Sequence, residues 1–382
     1  MRYRQLSNVV WFWFLCAACA QSVVPVRSPE LASDGRITFR FRAPNAQRVE
    51  VDAQLARFEM QRDEGGVWTA TTPPMSPDVY EYWFVVDGVA VPDPGNPVIG
   101  GNNWFTLPLS IVEVPDPRLS VSAHRNVPHG QIHRHFYDSG ILKEASEFFV
   151  YTPPGYDSRL SARYPVLYLL HGNNNTASTW FDRGAANFVL DNLISSGKAP
   201  PMLIVCPSGW ASEELRRRSP EVRATGTNLG ANIEAFKKVL LAEIIPAVES
   251  SYRTHTDRKF RALAGVSMGS TMALAIGLRH IGEFSSVGAF SGTIARAATP
   301  EISSADRARL RLLWISAGTD ERALDSVREL KQRMQALGIK VVESEQTGFH
   351  TWGLFRRNLS DFAQVVFDSP ARVSKRPRLN SH

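Results

Sequence analysis

Apolar and polar residues alternate with a period of two in the first part of the chain. Ile37, Phe39 and Phe41 alternate with Thr38, Arg40 and Arg42, and Tyr80, Tyr82, Phe84 and Val86 alternate with Glu81, Trp83 and Val85. That spacing places one face of each segment in a core and the other outward, so residues 28–91 read as short strands of a small all-β sandwich. Asp87-Gly88 supplies a hairpin turn between two such runs. The stretch 92–117, with VPDPGNP and a later VPDP, is proline-rich and reads as a linker.

The period changes in residues 118–370. HFYDSG and SEFFVYTPPGY read as strands, YPVLYLL and MLIVC as buried strands, and RGAANFVLDNLISSGK as a helix closed by Gly197. A long helix is expected over 231–252. Next come RALAGV and a following helix, the strand RLLWISA, a helix carrying Leu324, Val327, Leu330, Met334 and Leu337, and the strand IKVVE. Strands alternating with helices predict an α/β fold: a mostly parallel sheet with helices on both faces. In such sheets ligands bind at the carboxyl ends of the strands.

The first twenty residues run from Arg2 and Arg4 through an apolar segment, Val9 to Ala20, that ends Ala18-Cys19-Ala20. This is the order of a secretory signal peptide with a small-residue cleavage site, too short to span a bilayer. Cys19 also resembles a lipoprotein acceptor, although Cys16 stands where leucine is usual. Of three cysteines, cleavage after Ala20 leaves Cys206 alone, which rules out an internal disulfide framework. Six of the 43 basic residues are Arg2 and Arg4 in the leader and Arg372, Lys375, Arg376 and Arg378 in the tail 371–382; the rest balance the 37 acids. The net charge of +6 therefore argues for neither a nucleic-acid nor a membrane-surface partner, unless Cys19 carries a lipid.

Chemistry converges on Gly265-Val266-Ser267-Met268-Gly269, a G-x-S-x-G at a strand-to-helix turn. Such a turn exposes the serine hydroxyl, and the glycines leave room for close backbone. A serine nucleophile needs a base and a group that orients the base. After Ser267 the histidines are His280, His350 and His382. His382 is terminal and His280 sits late in the helix that follows the turn, so His350, in TGFHTW, is the expected base. The acid is expected where RLLWISA ends, at Asp320 or Glu321. An oxyanion hole requires two backbone N–H groups, expected from Met268 and from Asn173 in YLLHGNNN. Trp180, Trp210 and Trp352 flank these motifs and either hold a substrate or pack the core. His124, His129, His133 and His135 invite a metal hypothesis, but no carboxylate or cysteine nearby completes a site, so neither metal nor other cofactor is expected.

VPHGQIHRHFY, FFVYTPPGYD, YPVLYLLHG, ANFVLDNLI, RALAGVSMGS, LLWISAGTDE and GFHTW together resemble the esterase D-like α/β-hydrolases, nearest to carbohydrate esterase family one, the feruloyl and acetylxylan esterases. The resemblance covers about 127–367. Relatives read G-x-x-D at the acid position, which favours Glu321 here, and often carry glycines where this chain has Asn173, Asn174 and Asn175. TFRFRAPNAQRVEV and VYEYWFVVDG resemble the immunoglobulin-like accessory domain of branching enzymes and isoamylases, whose Trp68 and Trp83 counterparts here either stack on sugars or fill the sandwich core.

The resemblance implies a secreted or periplasmic serine esterase acting on a small-molecule or polysaccharide ester, releasing ferulate or acetate from plant polysaccharide. A siderophore esterase of the enterochelin type, a mycolyltransferase-like acyl transferase and a non-catalytic carbohydrate-binding protein are the competing readings.

Overall fold

The computed structural model describes residues 26–54, 56–96, 99–100, 109–173, 175–211 and 227–367. The leader with Cys19, Asn174, the basic tail and most of the loop 211–230 lie outside them.

The N-terminal part holds β1 (Glu30–Leu31), β2 (Ile37–Arg42), β3 (Val49–Asp52), β4 (Arg57–Glu59), β5 (Gln61–Arg62), β6 (Val67–Thr71), β7 (Asp78–Val86), β8 (Val89–Val91), β9 (Ile99–Gly100) and β10 (Leu109–Val114). They form two antiparallel sheets, β1-β2-β6-β5 and β4-β3-β7-β10-β9, with β8 paired to β7. The turn between β7 and β8 is Asp87-Gly88, both at positive φ (47° and 86°). Phe39, Trp68, Tyr80, Tyr82 and Phe84 pack in one core. Trp68 donates its indole N–H to the Ala43 carbonyl (2.9 Å), which makes it a core residue.

The described part of the expected linker 92–117 is not a linker, and residues 97–98 and 101–108 lie outside the described residues. Its residues 109–114 form β10, paired with β7 from Ser110↔Tyr82 to Val114↔Asp78, and Asp93 is buried beneath the Tyr82 hydroxyl (2.8 Å). The flanking prolines speak for a loop, SIVEV shows no period-two pattern because Ile111 and Val112 face two different cores, and the polar side chains of the turn serve as internal hydrogen-bond partners.

The second part is an eight-stranded sheet, β11 (Gln131–Ser139), β12 (Glu144–Thr152), β13 (Val166–Leu170), β14 (Leu203–Pro207), β15 (Arg261–Val266), β16 (Ser286–Phe290), β17 (Leu312–Gly318) and β18 (Val341–Gln346). Its order is β11-β12-β14-β13-β15-β16-β17-β18, with β11 and β12 antiparallel and the rest parallel. The helices are α1 (Thr179–Asp182), α2 (Ala186–Ser195), α3 (Thr227–Val239), α4 (Ile245–Ser251), α5 (Met268–Gly277), α6 (Ser304–Arg309), α7 (Leu324–Ala336) and α8 (Trp352–Ala363). A π turn joins α3 to α4, so the long expected helix is present with one interruption. Even a fully apolar strand alternates: Val166, Tyr168 and Leu170 of β13 face the core under α3, α4, α5 and α7, while Leu167 and Leu169 face the core under α1, α2 and α8. Among the described residues no helix is long and apolar enough to cross a membrane.

The two parts share a core. Val79 of β7 and Ile111 of β10 pack with Trp352, Phe355 and Leu359 of α8, while their strand neighbours Tyr80 and Val112 pack inside the sandwich. Around this strip Arg183 pairs with Glu81 and Arg356 with Glu113 (2.9 Å).

Candidate active site

β13, β15, β17 and β18 run parallel and end on the same edge of the sheet, so the segments that follow them converge. Ser267 directly follows β15 and is the N-cap of α5 at φ 55°, ψ −116°, a strained conformation for a residue with a side chain. Its N–H donates to the Phe290 carbonyl (2.9 Å). The flanking glycines are sterically required. A Cβ on Gly265 would lie 2.5 Å from the Gly269 carbonyl carbon, and one on Gly269 would lie 2.6 Å from the His171 carbonyl oxygen.

His350 follows β18 in the loop before α8. Its Nδ1 stands 3.1 Å from Oε1 of Glu321, whose side chain is 1% exposed against 47% for the imidazole. Glu321 lies three residues beyond the end of β17, where Gly318 permits the contact of the two loops: a Cβ there would sit 2.2 Å from the Gly348 carbonyl oxygen. Asp320 does not meet the histidine ring. Its Oδ2 accepts from the Gly348 N–H (3.0 Å), and its own N–H donates to the Gly348 carbonyl (3.2 Å).

The loop after β13 comes close to the elbow: a Cβ on Gly172 would lie 3.5 Å from the Ser267 Cβ. His171 fixes this loop from beneath. Its Nδ1–H donates to the Gly172 carbonyl (2.8 Å) and its Nε2 accepts from the Gly209 N–H (2.8 Å). That pair of bonds selects one neutral tautomer, and burial pushes the imidazole pKa down to about 4. Sequence reading treats His171 only as a marker of the HG motif; its role as a tie between two loops becomes visible only when Gly209 is placed. Trp210 completes the tie by donating its indole N–H to the Asn173 carbonyl (3.1 Å). Met268 is the first residue of α5, where helix geometry leaves N–H groups without an intrahelical acceptor.

The tryptophans are corrected by burial. Trp180 is 0% exposed, donates to the Leu170 carbonyl (3.0 Å) and packs edge-on to Phe290 and Trp352, so it is core. Trp352 is likewise buried, between Trp180 and Phe355, and Trp210 is buried under the loop it holds. Three of the four histidines in 124–135 have structural partners: His129 is bonded to Asp191 (2.8 Å), His133 to Thr152 (3.3 Å) and His135 to Tyr252 (2.5 Å). His124 stacks on His129.

A family model described as "Putative esterase" matches residues 139–364, more than half of the chain. The chain is 31% identical over 352 residues to an endo-1,4-beta-xylanase/feruloyl esterase from Xylanibacter ruminicola, covering 89% of this chain and 46% of that protein. It is 33% identical over 141 residues to the esterase Rv1288 from Mycobacterium tuberculosis, covering 36% of this chain and 27% of that protein. It thus spans less than half the length of these curated relatives. Among solved structures it is similar to a CE1 ferulic acid esterase from Anaeromyces mucronatus in complex with ferulic acid, with TM-score 0.56, 22% identity and coverage of 66% of this chain and 96% of that one. It is also similar to the enterobactin esterase FES from Shigella flexneri in the presence of enterobactin, with TM-score 0.64, 19% identity and coverage of 87% and 94%. At those identities the likeness concerns the fold.

Proposed function

Since the chain belongs to this esterase family, we propose that it is a secreted serine carboxylic-ester hydrolase that works through an acyl-enzyme and releases ferulate or acetate from plant polysaccharide. The contact that carries the reading is Glu321 Oε1 to His350 Nδ1, across two strand ends from a serine on a strained elbow.

In this mechanism the Ser267 hydroxyl attacks the ester carbonyl while His350 Nε2 takes its proton. Glu321 keeps the other ring nitrogen protonated and stabilises the imidazolium. The tetrahedral oxyanion receives N–H groups from Met268 and Asn173, each worth about 3 kcal/mol of transition-state stabilisation. His350 then protonates the departing alcohol, and the acyl-enzyme is cleaved by water that His350 deprotonates. No cofactor enters. The N-terminal sheets serve, in this reading, as an immunoglobulin-like accessory domain.

Support for the acyl group comes from the relative named as an endo-1,4-beta-xylanase/feruloyl esterase, which aligns with 89% of this chain. Support for export is the sequence of residues 1–20. The test is hydrolysis of p-nitrophenyl acetate, methyl ferulate, acetylated xylan and a catecholate siderophore ester by wild type and Ser267→Ala. Cleavage of methyl ferulate or acetylated xylan that is lost in the variant is the expected result. Preference for the siderophore ester overturns the substrate, and full activity in Ser267→Ala overturns the mechanism.

A further inference from the structure

The helix that follows His350 begins in an unusual way. Thr351 is the N-cap of α8 but makes no side-chain capping bond of its own. The acceptor comes from the other part of the molecule. Asp78, the first residue of β7 and 3% exposed, accepts through Oδ1 from the Gly353 N–H (2.9 Å) and through Oδ2 from the Thr351 hydroxyl (2.6 Å). A carboxylate at a helix N-terminus meets both an unsatisfied N–H and the positive end of the helix dipole.

The sequence makes room for it. A Cβ on Gly353 would lie 2.1 Å from Asp78 Oδ1, so the approach exists only with glycine at the second position of α8. Asp78 is itself fixed, because Oδ1 also accepts from the Val79 N–H (2.7 Å). Burying a carboxylate costs free energy and here raises its pKa, so this arrangement does not arise from ordinary solvation. The loop is also held upstream, where Arg357 donates to the Thr347 carbonyl (2.8 Å) and Asp320 holds Gly348. Downstream of His350 the Asp78 clamp begins at the adjacent residue.

We propose that Asp78 is a positioning residue for His350: a carboxylate from the β sandwich caps the helix after the histidine and thereby sets where the imidazole stands. The sandwich is then part of the catalytic unit, and its removal costs turnover even when no sugar binds it. The catalytic half of this inference rests on the hydrolase reading above; the structural half does not.

The experiment compares full-length wild type, Asp78→Ala, Asp78→Asn and Thr351→Val. In Asp78→Asn the amide oxygen still accepts from Gly353 and the amide nitrogen can donate to the Thr351 oxygen. Two readouts are taken: kcat and KM for p-nitrophenyl acetate, and deuterium uptake by the segment 347–356. Asp78→Ala is expected to lower kcat about tenfold or more with little change in KM, because misplacing a catalytic group acts on the reaction step. Uptake should rise in the same variant, Asp78→Asn should restore most of both, and Thr351→Val should fall between. Unchanged uptake in Asp78→Ala overturns the clamp, and raised uptake with unchanged kcat overturns its catalytic consequence. If Asp78→Ala does not fold, Thr351→Val decides, and wild-type uptake and kcat in it overturn the proposal. A wild type inactive on every ester sinks the hydrolase reading, while uptake still decides the clamp.

Discussion

Asp320 and Glu321, adjacent in the chain, hold two points of one loop: Asp320 takes the Gly348 N–H (3.0 Å) and Glu321 takes the ring of His350 (3.1 Å). One acid shapes the backbone and the other meets the imidazole. Glu321→Gln should lower kcat by roughly a thousandfold or more, in line with loss of the orienting carboxylate in serine hydrolases. Asp320→Asn keeps an oxygen for Gly348 and should cost less than about tenfold. Steady-state kinetics on p-nitrophenyl acetate check this, and a larger loss in the Asp320 variant would reverse the assignment.

His171 should make the fold acid-sensitive. Its folded pKa, about 4, lies below the value of about 6.5 in an unfolded chain, so the unfolded state binds the proton first. The stabilisation is whole above pH ~6.5, declines as pH falls toward ~4 and is spent below that, a total of about 3 kcal/mol. As pH falls between those limits, urea midpoints should drop more for wild type than for His171→Asn, because the buried Asp361 carboxyl, raised to about 6, acts in the opposite sense in both proteins. Equal slopes would refute the role given to the buried imidazole.

Gly269→Ala should destabilise the protein by about 2 kcal/mol or more, since the new Cβ meets two backbone oxygens, of His171 at 2.6 Å and of Leu170 at 2.7 Å. Gly282→Ala is the control, with nothing within 4 Å of its Cβ, and should leave the melting temperature within about a degree or two. Thermal melts of the two variants side by side test the difference.

Trp180 gives a sharp contrast between packing and binding. Trp180→Ala should cost about 3–5 kcal/mol by leaving a cavity, and Trp180→Phe rather less. At a temperature where Trp180→Phe is folded, its KM for methyl ferulate should match wild type, because the ring is closed off from solvent. A raised KM would put the ring back in the substrate site.

The sheet, its helices and the elbow are legible in the sequence because each is written locally: alternation, apolar runs, and glycines on either side of Ser267. Elimination among the histidines points to His350, whose ring the structure sets against Glu321. The acid is ambiguous because Asp320 and Glu321 share every local property, and only the path of the chain after Gly318 separates them. Trp180 misleads because an aromatic residue near a loop motif reads alike whether it lines a site or fills a core. The stretch 109–114 misleads because the prolines on either side of it speak for a loop while its pairing partner lies far away in β7. Asp78 is invisible for a plainer reason: it meets Thr351 across 273 positions of chain, and no periodicity links them.

The division of β7 between two cores sets a limit on modularity. Its even positions Tyr80, Tyr82 and Phe84 belong to the sandwich, and its odd positions Val79 and Glu81 face the second part, against α8 and Arg183. The second part cut free at residue 118 would carry an apolar strip on α8 and would lose Glu81 from Arg183 and Glu113 from Arg356. The border between the two parts is therefore a change of topology without a change of solvent, and a donor sandwich grafted in its place has to match the eight-stranded part residue by residue along one strand.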